Sequence, residues 1–285
     1  MSFLKFHPVV HMLLATFFFS LMNLSVKFLP DIPAVEIILF RALISLILSY
    51  VLIVKKGLNP LGNNKKYLLL RGFFGMLSLT TFFFTLQKIP LASAVTLQYL
   101  SPIFTVLFAT FFLKEKIYPV QLLCFGVAFA GVVLIQGFDS RINWFYLMLG
   151  ILSAVFSGLA YNAVRKLKDT DHPLVVVLYF PLVALPFATV ACFFNWKTPV
   201  GIEWLWLILT GIFTQIAQIN LTYALQHEKL AAISGLNYIG IVYALLFGYF
   251  IFGETYNHFA LLGIFLVLTG VLLNFFIKLP KKKDQ

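Results

Sequence analysis

The chain has 285 residues, of which 61% are hydrophobic and only 11% charged, with a mean hydropathy of +0.96. A water-soluble domain of this size cannot bury that much apolar surface, so lipid must cover it and the composition specifies an integral membrane protein. The formal charge of +11 sits in short loops and a tail rather than along one amphipathic face, which is the footprint of membrane topology and argues against a nucleic-acid partner.

A helix needs about 20 apolar residues to cross a hydrocarbon core of about 30 Å. Ten segments qualify: 8–29, 32–54, 66–87, 92–113, 119–137, 143–165, 173–194, 203–225, 231–252 and 256–277. Lys5 precedes the first and no small-residue cleavage site follows it, so span one reads as a retained helix rather than a signal peptide. Pro30, Pro33, Pro60, Pro90, Pro119, Pro173 and Pro199 punctuate the joints. Cys124 and Cys192 fall inside spans, which leaves neither a disulfide framework nor a metal cluster in prospect.

From Leu13 to Leu273 the chain matches itself at a constant offset of 139 residues. Asn23 meets Asn162, Lys27 meets Lys166, Gly62 meets Gly201, Gly72 meets Gly211, Gln87 meets Gln226, Tyr99 meets Tyr238, Glu115 meets Glu254 and Gly131 meets Gly270. Apolar similarity alone yields matching leucines, whereas paired Asn, Gln, Tyr and Glu in one register mark a duplicated unit. Each copy holds five spans, and an odd number turns the second copy over relative to the first. The expectation is an all-α integral membrane protein whose ten transmembrane helices form two inverted five-helix repeats, residues 1–138 and 139–277, followed by a basic cytoplasmic tail, 278–285. Lys55, Lys56, Lys65, Lys66 and Arg71 fall at or near the facing ends of spans two and three, Arg165, Lys166 and Lys168 at or near those of six and seven, and Lys281, Lys282 and Lys283 in the tail. The opposite span ends carry only Lys27, Lys88, Arg141 and Lys197, so both termini are expected in the cytoplasm.

Polar side chains inside the spans are the candidates for function. Arg41 lies about ten residues past Asp31, so at about 1.5 Å per residue it is about 15 Å deep, near the bilayer centre. It is either a cavity cation for a carboxylate, phosphate or dipole, or a tie between helices partnered by Glu36. Glu36 is also the candidate for coupling to protons. Gln98 and Tyr99 on span four match Asn237 and Tyr238 on span nine, giving amides that donate and accept beside flat walls with polar tips. Asn23 and Asn162 are a second matched amide pair, with Lys27 reaching for the outer surface. Ser153, Ser157 and Tyr161 share one helical face. Gln215 and Gln218 on span eight stand where span three has Met76 and Leu79, a polar stripe in one copy only and so a candidate for selectivity. Each of these sets has a second reading as a tie between helices. Glu115 and Glu254 end spans four and nine, where a carboxylate suits the start of the next helix.

Glu36-Ile37-Ile38-Leu39-Phe40-Arg41, Arg71-Gly72 with Gly75, Ile89-Pro90-Leu91-Ala92 ahead of Tyr99-Leu100-Ser101-Pro102, Leu113-Lys114-Glu115 and the Gly126 to Gly131 helix together resemble the drug/metabolite transporter superfamily, in the branch with two EamA-type repeats. The second copy keeps Glu254 and Gly270 but has Ile241 in place of Pro102. The resemblance implies ten helices around a central cavity and movement of a small polar metabolite. The start of span three looks most like carriers of S-adenosylmethionine and riboflavin.

The expected function is a secondary transporter that moves an amino-acid derivative, nucleoside-like or vitamin-like compound by alternating access through a midplane cavity. Its substrate ligands are drawn from Arg41, Gln98, Tyr99, Asn237, Tyr238, Asn23, Asn162, Gln215 and Gln218. A channel would instead show rings of like polarity along a pore. An intramembrane enzyme would need metal-ligand or nucleophile–base spacing, yet His7, His11, His172, His227 and His258 all lie at or near span ends. No catalytic residue, metal or cofactor is expected, and the partners are a small-molecule substrate and the bilayer, with the chain a monomer or homodimer. Short loops point to a bacterial inner (plasma) membrane.

Overall fold

The computed structural model describes residues 8–112, 119–138, 141–227 and 239–276, and these form helices joined by short loops. The helices are α1 (Pro8–Lys27), α2 (Ala34–Lys55), α3 (Lys65–Lys88), α4 (Leu91–Gln98), α5 (Ser101–Phe112), α6 (Pro119–Phe138), α7 (Trp144–Lys166), α8 (Pro173–Phe194), α9 (Glu203–His227), α10 (Ile239–Phe252) and α11 (His258–Phe276). Helices α4 and α5 together make one span, so ten spans result, each matching its expected limits within two residues wherever those limits are described. Seven are long and apolar enough to cross a membrane, and shorter apolar helices supply the others. The start of span nine, with Asn237 and Tyr238, lies outside the described residues, as does Glu115.

Apolar side chains face outward on all sides, with Phe111, Leu123, Phe193 and Phe250 at 81%, 72%, 82% and 75% exposure. This is the reverse of a soluble surface and fits a lipid jacket. Trp144, Trp196 and Trp204 are exposed at one end of the bundle, where amphipathic rings anchor a protein at a membrane interface.

Span four departs from the continuous helix expected over 92–113. It breaks at Tyr99 and Leu100, because Pro102 has no N–H to donate to the Gln98 carbonyl and the helical ladder cannot cross that point. The Leu100 N–H reaches Leu97 O at 3.1 Å and the Ile103 N–H reaches Leu100 O at 2.9 Å, both tighter three-residue turns.

The two copies pack by making each contact twice. Helix α1 lies on α9 as α7 lies on α3, while α2 meets its own equivalent α8, and α6 meets α11. A Cβ on Gly72 would stand 2.7 Å from Val183 Cγ2, and one on Gly211 would stand 2.7 Å from Ile44 Cβ. Ile44 and Val183 are equivalent positions under the 139-residue offset. A Cβ on Gly131 would likewise stand 2.5 Å from the Gly263 carbonyl oxygen, and one on Gly270 would stand 2.5 Å from that of Cys124, so the α6–α11 crossing requires glycine on both sides. Gln87 Nε2 donates to Ile32 O at 2.8 Å and its equivalent Gln226 donates to Asp171 O at 3.2 Å, again one bond made twice.

Candidate functional site

At the centre of the bundle is a cavity of about 130 Å³. Its polar lining comes from Asn23 on α1, Arg41 on α2, Arg71 and Ser78 on α3, Gln98, Tyr99 and Ser101 at the break between α4 and α5, Ser157 and Tyr161 on α7, and Gln218 on α9. Phe19, Met22, Phe82, Phe180 and Leu221 supply apolar walls.

Arg41 is 1% exposed. Its Nε donates to Thr214 Oγ1 at 2.8 Å, its guanidinium carbon lies 4.6 Å from the Phe180 ring centroid, and its Nη1 has no hydrogen-bond partner. Phe180 is the residue equivalent to Arg41 in the second copy. The two therefore stack on each other across the pseudo-two-fold axis as a cation–π pair, worth about 2 kcal/mol where water is excluded. The Glu36–Arg41 tie does not form. Glu36 sits in the first turn of α2, away from the cavity lining, and accepts the Lys197 N–H at 3.0 Å. Five residues along a helix put the two on different faces.

Arg71 is the residue that sequence reasoning misplaced. Grouped with the loop lysines, it lies inside α3 at 4% exposure and donates from Nη2 to Gln218 Oε1 at 3.0 Å, with its Nε unpartnered. A Cβ on Gly75 would collide with Arg71 Nη1 and stand 3.1 Å from Phe180 Cδ2, so glycine leaves the room in which both groups sit. The signal was present in the spacing: Arg71, Gly75, Ser78 and Phe82 follow one another at helical intervals and all face the cavity.

Gln98 is held by serines of α7. Its Nε2 donates to Ser157 Oγ at 2.7 Å, its Oε1 accepts from Ser153, and Ser78 Oγ joins Ser157 Oγ at 2.6 Å. Asn23 lines the cavity with its Oδ1 unpartnered. Of the expected ligands, Asn23, Arg41, Gln98, Tyr99 and Gln218 come together. Asn162 does not, since its amide donates to Thr105 O at 3.0 Å and Gly158 O at 2.9 Å and joins α7 to α5. Gln215 donates to Ser49 Oγ at 2.8 Å and joins α9 to α2. Both amides took the tie reading rather than the site reading.

The bundle end that carries the exposed tryptophans is fastened by Glu254. The carboxylate follows α10, yet it accepts the Leu91 N–H at 2.9 and 3.1 Å, capping α4 of the other copy instead of the next helix. Lys27 Nζ lies 3.3 Å from Glu254 and donates to Ile89 O at 2.6 Å, so it folds onto the chain rather than reaching for the outer surface. Tyr256 donates to the same carboxylate at 2.5 Å, and burial together with that carboxylate raises its hydroxyl pKa, keeping it a donor. Near this cluster, Met22, Val26, Leu29, Leu86 and Ile89 are buried and belong to one apolar cluster.

A bundle of membrane spans that holds a buried polar cavity between two copies of one unit is the architecture of a membrane transporter. The chain belongs to the EamA-like transporter family, whose profile matches residues 8–137 and again 144–276. It is 33% identical over 260 residues to the pseudopaline exporter CntI of Pseudomonas aeruginosa (strain UCBPP-PA14), covering 90% of this chain and 92% of that one. It is 25% identical over 258 residues to the S-adenosylmethionine uptake transporter of Rickettsia bellii (strain RML369-C), covering 87% and 84%. A solved crystal structure superposes with a TM-score of 0.69 at 19% identity, covering 93% of this chain and 94% of that chain, and so shares the fold.

Proposed function

We propose that this chain is a secondary transporter that carries a small polar metabolite by alternating access, with the central cavity as its substrate site. One observation carries the reading: Arg41 Nη1, Arg71 Nε and Asn23 Oδ1 are buried without partners on the lining of one cavity. An unsatisfied buried polar group costs about 1–3 kcal/mol, and more when charged, so a ligand that accepts from the two guanidiniums recovers most of that energy. The break in span four at Gln98 and Tyr99 adds support, because interrupted helices mark the substrate sites of inverted-repeat carriers. Relatives named for export and for uptake both fit a metabolite cargo.

In this reading residues 1–138 and 139–277 are the two moving halves, 278–285 is a basic cytoplasmic tail, and both termini lie on the cytoplasmic side of a bacterial inner membrane. The end fastened by Lys27 and Glu254 is then the outer face, and the conformation is closed to the outside. Opening requires Glu254 to release Leu91 and Lys27, which separates elements of opposite halves. The test is a metabolite uptake and export screen with the purified protein in liposomes. Saturable flux with counterflow is expected, and flux that rises linearly with concentration would mean a channel.

A further inference from the structure

We propose that the substrate is a small organic dianion, seated with its two acid groups on Arg41 and Arg71; this rests on the transporter reading of the same cavity. Both guanidiniums line one space, and among the described residues no acidic one lines it with them. Among the described residues the buried carboxylates are committed elsewhere: Glu36 to the Lys197 N–H, Asp171 to the N–H groups of Asn63 and Asn64, and Glu254 to Leu91 and Lys27. The partners that Arg41 and Arg71 do have, Thr214 and Gln218, are neutral. They fix where each fork points without cancelling its charge.

Two desolvated like charges within one membrane cavity are costly, and among the described residues they are offset by aromatic faces, Phe180 and Phe83 beside Arg41, and neutral dipoles rather than by a carboxylate. A solute with two negative groups removes the imbalance, a neutral solute leaves it, and a cation worsens it. Guanidinium geometry suits the same answer, since each fork presents parallel N–H groups to a carboxylate and neither has all its donors used. Symmetry sharpens the point. The second copy has Phe180 where the first has Arg41, and Thr210 where the first has Arg71, so the charge belongs to one copy and is not demanded by the shared fold. The cavity of about 130 Å³ falls well below the space of pockets that enclose drug-sized ligands, about 300–1,000 Å³. Its size limits the cargo in this conformation to a short chain, whose carbons would lie along Phe82, Phe180 and Leu221.

The experiment uses the full-length protein in liposomes and an external equimolar mixture of succinate, malate, glutarate, leucine, glucose and spermidine, with the lumen analysed by mass spectrometry. Thermal unfolding in detergent with millimolar glutarate is measured alongside. The dianions should accumulate at least tenfold over protein-free liposomes, and glutarate should raise the unfolding temperature. Arg71→Gln and Arg41→Gln should each cut that accumulation at least tenfold and abolish the glutarate shift. Their unfolding temperature without solute should not fall, since each removes an uncompensated buried charge. Accumulation of leucine, glucose or spermidine ahead of the dianions overturns the dianion assignment and leaves the transporter reading standing. Accumulation of no solute, together with no glutarate shift, counts against the transporter reading itself. If one variant does not fold, the other decides.

Discussion

Replacing Glu254 with glutamine should open the outer face. The carboxylate caps Leu91 at 2.9 and 3.1 Å and faces Lys27 at 3.3 Å, with side chains only 10% and 16% exposed. Glutamine keeps the shape, and its oxygen in the place of Oε2 keeps both the Leu91 N–H and the Tyr256 hydroxyl, so the loss falls mainly on the ion pair. Breaking a fully buried pair costs about 3–5 kcal/mol. Lys27 retains its bond to Ile89 O at 2.6 Å and some solvent, which brings the loss to about 2–3 kcal/mol. If the pair exists only in the outward-closed conformation, that loss shifts the equilibrium about 30- to 150-fold toward opening. Val26, one residue before Lys27, is fully buried, so a cysteine there reports opening. With Cys124 and Cys192 replaced, external membrane-impermeant maleimide should label Val26→Cys at least tenfold faster in Glu254→Gln. An unchanged rate with a lowered unfolding temperature would refute the reasoning, because the cluster would then support both conformations alike.

Gly75→Ala should push the Arg71 guanidinium aside and lower liposome flux at least tenfold with little change in unfolding temperature; normal flux would mean that Arg71 needs no such room. Gln87→Leu removes bonds to two carbonyls, Leu29 O at 2.7 Å and Ile32 O at 2.8 Å, whereas Gln226→Leu removes one at 3.2 Å. Thermal unfolding should therefore show the larger loss for Gln87→Leu, by about 1 kcal/mol. Gln218→Leu, which copies Leu79, should change which solute is preferred in competition assays, while Gln215→Met should cost stability without changing preference, because Gln215 bonds Ser49 and not the cavity.

The spans were legible because membrane thickness fixes their length, and the repeat because polar residues such as Asn23/Asn162 and Gln87/Gln226 keep one register. Arg41 was legible from depth alone. Which faces meet was harder to read. Asn162 and Gln215 looked as well placed as Asn23 and Gln218, and only the crossing of α7 with α5 and of α9 with α2 separates them. Arg71 was hidden by its lysine neighbours, although six residues into α3 is about 9 Å along the helix axis. The helix break at Tyr99 was implied by Pro102, whose missing N–H has a definite address on Gln98. Lys27 was read as reaching the outer surface and Glu254 as capping the next helix, and their pairing required the second half to be folded onto the first.

Alternating access to one central cavity is tested most directly at Ala160, a small apolar residue on its lining, using cysteine there in a chain with Cys124 and Cys192 replaced. Impermeant maleimide should label Ala160→Cys from the outside in right-side-out vesicles and from the inside in inverted vesicles. Cross-linking Lys27→Cys to Glu254→Cys should abolish the outside reaction and spare the inside one. Labelling from one side only, or an outside reaction that survives the cross-link, would contradict the account.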